Sequence, residues 1–358
     1  MKIKIGDRNI GDGEPCFIVA EVSANHQQKL NKAVAIIRAA AEAGADAVKL
    51  QTYTPDTITI NSNKKWFWVG GKDNPYAWKG KTFYDLYKDA YTPWEWHSKL
   101  KDIAEDLGLI FFSTPFDHTA VDFLEKLRVP CYKIASYEST DIPLLKKVAS
   151  TGKPVIISVG FATLDEIKLS ISTLRSHGNK GIVVLQCTTS YNDSAKPEST
   201  NLHTMMDIRE RFNVLTGFSD NMGGIEVPAL AASTGAAVIE KHIVVKHDSR
   251  ALDDKFSLDR DAFKKMVKQI RWQESVIGQV KYGPQTETEA YNRRFRRSLF
   301  AVKDIKKGEK FTKENIRSIR PAYGLETKFF DVVLGRKASK SIERGTPLSW
   351  NLVEGGRK

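Results

Sequence analysis

Short apolar runs alternate with amphipathic stretches along the first two-thirds of the chain. The runs fall at 16–21 (CFIVAE), 46–51 (DAVKLQ), 109–114 (LIFFST), 131–136 (CYKIAS), 154–159 (PVIISV), 181–187 (GIVVLQC), 213–219 (NVLTGFS) and 236–242 (AAVIEKH). Most are apolar at consecutive rather than alternate positions, the pattern of strands buried on both faces and therefore of a parallel sheet covered by helices. Between them, stretches such as 30–44 (LNKAVAIIRAAAEAG) repeat apolar residues every three or four positions and stop at a glycine, Gly44. The stretch 163–178 has the same form, opened by Thr163 and Glu166 as a capping box and closed by Gly178. Eight such units in one domain predict a closed (β/α)8 TIM barrel. A doubly wound open sheet is the alternative, but no glycine-rich dinucleotide turn follows the first run.

Two segments break this rhythm. Residues 53–95 form a long insertion rich in Trp and Tyr, with turn signals at Gly70-Gly71 and Asn74-Pro75. An insertion of this length is expected to be a functional or structured excursion, its rings either packing the loop or stacking on a sugar. After a helix at 259–278 comes a polar linker, and the chain then turns to short β-like runs. There DIKKGEKFTKENI (304–316) and SIERGTPLSWNLV (341–353) echo each other, each placing Ile-x-x-Gly before an apolar residue three positions on. The expected organisation is a barrel over 1–280, a linker over 281–297 and a small β-rich, pseudo-symmetric domain over 298–358.

A chain of 358 residues with 41% hydrophobic residues can bury one large core and a smaller one. The N-terminus lacks the apolar stretch of a leader peptide, and no run is long enough to cross a membrane. Cys16, Cys131 and Cys187 lie far apart in apolar runs without metal-type spacing, so they read as reduced core thiols of a cytoplasmic protein. The net charge of +12 is uneven: from residue 280 onward there are 19 Lys and Arg against 9 Asp and Glu. No recognition helix, zinc pattern or stacking motif accompanies this surplus, so nucleic acid is not the expected partner. The run RRFRR (293–297) reads as a solvated linker face, and a small anionic substrate accounts for the remaining positive charge.

Every strand ends in polar residues: Glu21; Lys49 and Gln51; Ser113 and Thr114; Lys133, Ser136 and Glu138; Ser158; Thr188 and Thr189; Ser219 and Asp220; and Glu240, Lys241 and His242. One polar strand end is commonplace. Eight of them converging on the carboxyl-terminal mouth of a barrel, with two lysines among them, predict a shared cleft in which EKH is the eighth strand's contribution.

The ordered motifs AEVSANH (20–26), GADAVKLQ (44–51), FFSTPFD (111–117), YKIASYE (132–138), GKPVIIS (152–158), GFSD (217–220) and VIEKH (238–242) resemble the sialic acid (nonulosonate) synthase family. So does DIKKGEKFTKENI followed by Arg320-Pro321. The resemblance spans essentially the whole chain, and AYTPWEWH (90–97) and DDKFSLDRDAF (253–263) are most similar to its pseudaminic acid synthase branch. It implies a barrel joined to a small C-terminal domain similar to type III antifreeze protein (a SAF domain). The implied reaction condenses phosphoenolpyruvate with an open-chain N-acetylated amino sugar, giving a nine-carbon 2-keto acid and phosphate. By the same resemblance, Lys49 and Lys133 would meet the phosphate and carboxylate, with Gln51, Thr114, Ser136, Ser158 and Ser219 helping to hold the anion. Glu21 would handle a proton; Glu138, Asp253 and Tyr191 would hold the sugar. Arg320 would enter the site of a second subunit in a domain-swapped homodimer.

The family pattern also implies a divalent cation, Mn²⁺, Mg²⁺ or Co²⁺, held by two histidines. Here His242 is present, but Asn221 in SDN stands where the second histidine is expected. An amide oxygen suits hard ions better than borderline ones, so the site is expected to be weakened, retuned or lost. His26 in ANH admits a structural and a functional reading equally. An N-acetylneuraminate or legionaminate synthase remains an alternative. A lapsed synthase that only binds sugar or anion is the alternative of a different class.

Overall fold

The computed structural model describes residues 1–70, 78–192 and 197–356, with the side chains of all of these except 190–192 and 197. The chain divides into two compact units, Met1–Gly278 and Gln279–Lys358. The first opens with a hairpin, β1 (Lys2–Ile5) and β2 (Arg8–Gly11), which the pattern reading did not single out. Its trace in the sequence is the alternation KIKI, and the hairpin buries Ile5 from the first strand and Ile10 from the second in the barrel core. Gly6 and Gly11 lie against Ile110 and Leu215, which open two barrel strands, so the hairpin packs at the amino-terminal ends of the strands.

Eight parallel strands then close the barrel: β3 (Phe17–Glu21), β4 (Ala47–Thr52), β5 (Ile110–Pro115), β6 (Tyr132–Ile134), β7 (Val155–Ser158), β8 (Ile182–Asn192), β9 (Leu215–Met222) and β10 (Val238–Val244). They are hydrogen-bonded in chain order, β9 pairs with β10 and β10 with β3, so the open sheet is excluded. Each lies on its expected run. The helix Leu30–Ala43 ends at Gly44, whose φ of +87° is left-handed and whose N–H reaches back to the carbonyls of Ala40 and Ala41. The helix Leu164–Ser176 carries the expected capping box. Gly217 has a different reason to be glycine: a Cβ there would lie 2.2 Å from the Val238 carbonyl oxygen on the adjoining strand.

Some strand ends depart from expectation. β9 continues past the predicted 219 because its end pairs with β8, Asp220 with Thr188 and Met222 with Asn192, and β10 continues past 242 because Ile243 and Val244 pair with Leu258 and Asp259. β6 is short because the chain turns at once into a 3₁₀ helix, Ser136–Glu138. In the insertion, some described rings pack inward, Tyr53 lying 5.6 Å from Tyr87 and 5.0 Å from Phe116 beyond it, while Trp66 and Trp68 are exposed. Trp78 donates its indole N–H to the Leu252 carbonyl at 3.1 Å.

The second unit has its own core, including Leu299, Ile305, Phe311, Ile316, Ile342 and Leu348. An antiparallel pair, Ser298–Ala301 with Ile316–Ile319, forms its regular sheet. The two Ile-x-x-Gly repeats meet: Ile305 and Ile342 exchange backbone hydrogen bonds of 2.8 Å each way. The expected linker needs correction. Its second half folds as a helix, Glu287–Asn292, and a turn, Arg293–Phe295. Arg294 of RRFRR is not a purely solvated face; its guanidinium lies 3.8 Å from the Tyr291 ring centroid and its carbonyl accepts from Ala322 N–H. No helix among the described residues is long and apolar enough to cross a membrane.

Candidate active site

The carboxyl-terminal ends of the strands enclose a cavity of about 560 Å³. Its floor is built by register. Glu21 is the neighbour of both Lys49 and His242, Gln51 of Thr114, and Ser219 of both Glu240 and Cys187. Adjacent positions on parallel strands share one face of the sheet, so a polar strand end on β3 or β10 selects its partners on the next strand.

Two buried lysines and two buried glutamates form the centre. Lys49 Nζ lies 2.5 Å from Glu21, 3.8 Å from Glu240 and 3.1 Å from Thr114 Oγ1. Lys133 Nζ lies 3.7 Å from Glu240 and donates to Ser158 Oγ at 2.7 Å and to the Ile134 carbonyl at 3.1 Å. Ser219 donates to Glu240 at 3.2 Å, and Ser136 Oγ accepts from Gly160 N–H at 3.2 Å. Burial works to neutralise two of these groups. It pushes the Lys133 ammonium down, and it lifts Glu21 to about 7 against the pull of Lys49. Lys49 is also desolvated, yet the two carboxylates beside it hold it above its ordinary value. The two glutamates hold the two lysines in place on the cavity floor.

The sugar-side candidates stand in the same cavity. Gln51 Nε2 donates to Glu21 at 3.0 Å and to Ser23 Oγ at 3.1 Å, and Ser23 donates to Asp253. Burial raises Glu138 to about 7 and leaves one of its oxygens, Oε2, without a hydrogen-bond partner. His242 is neutral: burial first, and then Lys49, Lys241 and Lys133, push it well below the usual imidazole range. Its Nδ1 is buried without a hydrogen-bond partner. Asn221 turns its amide nitrogen to the Thr188 carbonyl at 2.9 Å and to Cys187 Sγ at 3.5 Å, leaving the carbonyl oxygen as its remaining donor atom.

Of the predicted residues, Glu21, Lys49, Gln51, Thr114, Lys133, Ser136, Glu138, Ser158, Ser219, Asn221, His242 and Asp253 all line the cavity. The side chain of Tyr191 lies outside the described residues, and Arg320 is exposed in the second unit. The reading of EKH is corrected. Glu240 and His242 enter the cavity, while Lys241 turns to the opposite face of the strand and pairs with Asp220. His26 resolves as structural; its Nε2 contacts Thr92 Oγ1, its Nδ1 accepts from Gln28 N–H, and burial pushes it down to about 4. The cavity also takes in Ser23 and Cys187, which the sequence does not mark as site residues, and Glu240, which it places in the cleft without a role. Glu240 stood inside a quoted motif, and strand alternation from His242 pointed to it; Ser23 and Cys187 look like ordinary strand-end or core residues.

The comparisons agree with this architecture. A model described as NeuB family matches residues 36–282, and one described as SAF domain matches residues 296–354. The chain is 42% identical over 340 residues to a pseudaminic acid synthase of Campylobacter jejuni, covering 95% of this chain and 97% of that protein. It is 35% identical over 348 residues to an N,N'-diacetyllegionaminic acid synthase of Legionella pneumophila, covering 96% of each. The crystal structure of the spore coat polysaccharide biosynthesis protein spsE from Bacillus subtilis superposes with a TM-score of 0.66 at 32% identity, covering 99% of both chains. The chain is an enzyme of the NeuB family: a TIM barrel carrying a SAF domain.

Proposed function

We propose that this protein condenses phosphoenolpyruvate with an open-chain N-acetylated amino sugar of the pseudaminate type. C3 of phosphoenolpyruvate bonds to the sugar's aldehyde carbon, water adds at C2, and the C2–O bond to phosphate breaks. The products are a nine-carbon 2-keto acid and inorganic phosphate. The observation that carries this reading is the pair of buried lysines, Lys49 and Lys133, each bonded to a strand-end hydroxyl on the same cavity floor. That floor matches an anion with two charged ends. Glu21, held near neutrality, is the group suited to give and take a proton. The relatives named as pseudaminic acid synthases favour this sugar class, and the Legionella relative makes a legionaminate precursor the second reading.

A divalent cation fits this cavity incompletely. Among the described residues no group of three His, Cys, Asp or Glu side chains is placed to hold an ion. The chain's own donors would be His242 Nδ1 and the Asn221 carbonyl oxygen, and a bound cation would polarise the aldehyde oxygen. Arg320 is proposed to serve the site of a partner chain in a domain-swapped dimer.

The test is phosphate release from phosphoenolpyruvate with a panel of N-acetylated amino sugars, with and without chelator. Release with a pseudaminate-type precursor above all others is expected, and chelation is expected to lower it. Release with none of the sugars, while phosphoenolpyruvate still binds by calorimetry, would leave a binding protein rather than a synthase.

A further inference from the structure

Ser23 follows β3 by two residues and is buried at the cavity wall, with its backbone at φ +48°. That left-handed conformation is one glycine adopts freely and serine rarely. Two more non-glycine residues, Gln27 at +49° and Gln28 at +53°, share it within the same turn. Backbone in this region persists where its surroundings over-determine it, and it clusters at functional sites. Glycine would relieve the turn, so the serine hydroxyl is retained at a cost, and its contacts indicate what it does.

The hydroxyl joins the two halves of the cavity. Ser23 Oγ accepts from Gln51 Nε2 at 3.1 Å, and the same amide donates to Glu21 Oε1 at 3.0 Å. Ser23 Oγ then donates to Asp253 Oδ2, which also accepts from Ala24 N–H at 3.2 Å. The Asp253 backbone is anchored as well: its carbonyl accepts from Ser257 Oγ at 2.6 Å, and that hydroxyl accepts from Asn25 Nδ2 at 2.9 Å. With Oδ2 taken by two donors, Oδ1 is the carboxylate oxygen left to accept from a ligand in the cavity. An acceptor aimed this way recognises an O–H or N–H, the groups an acetamido sugar carries and phosphoenolpyruvate lacks.

We propose that Ser23 is a positioning residue for the sugar, locking Asp253 with one oxygen turned to accept a hydroxyl or amide hydrogen of the acceptor substrate. The inference rests on the proposed synthase activity and adds to it a residue that acts through Asp253 and Gln51. Ser23→Gly separates this role from a structural one, because it removes the hydroxyl and relieves the backbone at once. Its thermal midpoint is expected to equal or exceed that of the parent. The Michaelis constant for the sugar is expected to rise on the order of 10–100-fold, the scale of a hydrogen bond to a charged group, with that for phosphoenolpyruvate unchanged. Ser23→Ala is expected to show the same kinetic loss with a lower midpoint. Combined with Asp253→Asn, Ser23→Gly is expected to add little, since the two act as one unit. A Ser23→Gly enzyme with the parental sugar constant, or losses that simply add in the double variant, would overturn the assignment while leaving the synthase reading intact. Absence of phosphate release by the parent enzyme with every amino sugar would remove both.

Discussion

At the scale of single residues, the site is a balanced set of buried charges. Each lysine owes its place to carboxylates and hydroxyls that a ligand would supplement. Lys49→Ala or Lys133→Ala is expected to raise the Michaelis constant for phosphoenolpyruvate by about 10-fold or more, the scale of a lost charge-assisted hydrogen bond. Steady-state kinetics of both variants checks this, and unchanged constants would remove the anion floor. Glu21→Gln keeps the hydrogen-bonding shape but not the proton, so turnover is expected to fall on the order of 10²–10⁴-fold. Glu138 makes a prediction about pH. Its carboxyl titrates near 7 in the folded chain because of burial, well above the ordinary range. The folded chain therefore binds a proton that the unfolded chain has released. This contribution to stability is complete at low pH and is lost as pH rises through about 7. Glu138→Gln should narrow the drop in thermal midpoint between pH 5 and pH 8 by about 2–5 °C, read by calorimetry.

At the scale of elements, the outward residues at the ends of β9 and β10 are locked to one another while the inward ones face the cavity. Lys241 pairs with Asp220 and also donates to the Met222 carbonyl; Asp220 accepts from Thr188 Oγ1 at 3.2 Å and from Met222 N–H at 3.1 Å. Breaking one side of such a pair leaves an uncompensated buried charge. Lys241→Met is expected to cost about 3–5 kcal/mol, measured as a lower urea midpoint. The double variant Asp220→Asn with Lys241→Met is expected to recover a large part of that loss, because the stranded charge is gone. At the other end of the barrel, Asp46 accepts from Ile18 N–H at 2.7 Å and pairs with Arg8 at 2.5 Å and Arg271 at 2.7 Å. That cluster ties the hairpin and the helix Arg260–Ile277 to the strands, far from the chemistry.

At the scale of the whole molecule, the question is what the basic second unit does for the first. Between the end of the first unit at Gly278 and the helix Glu287–Asn292 lie only residues 279–286. Eight residues span at most about 25–30 Å when extended, half of what an unstructured linker would reach. Mixing Glu21→Gln protein with Arg320→Ala protein under subunit exchange tests whether Arg320 serves a partner's site. Hybrid dimers with one intact site are expected to recover part of the activity. Hybrids detected by mass that stay inactive would assign Arg320 to its own chain or to no site.

The pattern of apolar runs was enough for the barrel, because buried parallel strands and their covering helices are each written in local periodicity. It located the cavity too, since polar residues at eight strand ends have one place to meet in that fold. The N-terminal hairpin was legible in its alternation but too short to stand out. Which side of β10 faces the cavity was legible only in part: alternation assigns Glu240 and His242 to one face, but which face is inner depends on closure of the ring. The Asp220–Lys241 lock, the left-handed Ser23 and the bridge from Glu21 through Gln51 to Asp253 were decided by the tertiary structure alone. The lock and the bridge join residues far apart in the chain, and the bonds that hold Ser23 in its conformation exist only once the strands are in register.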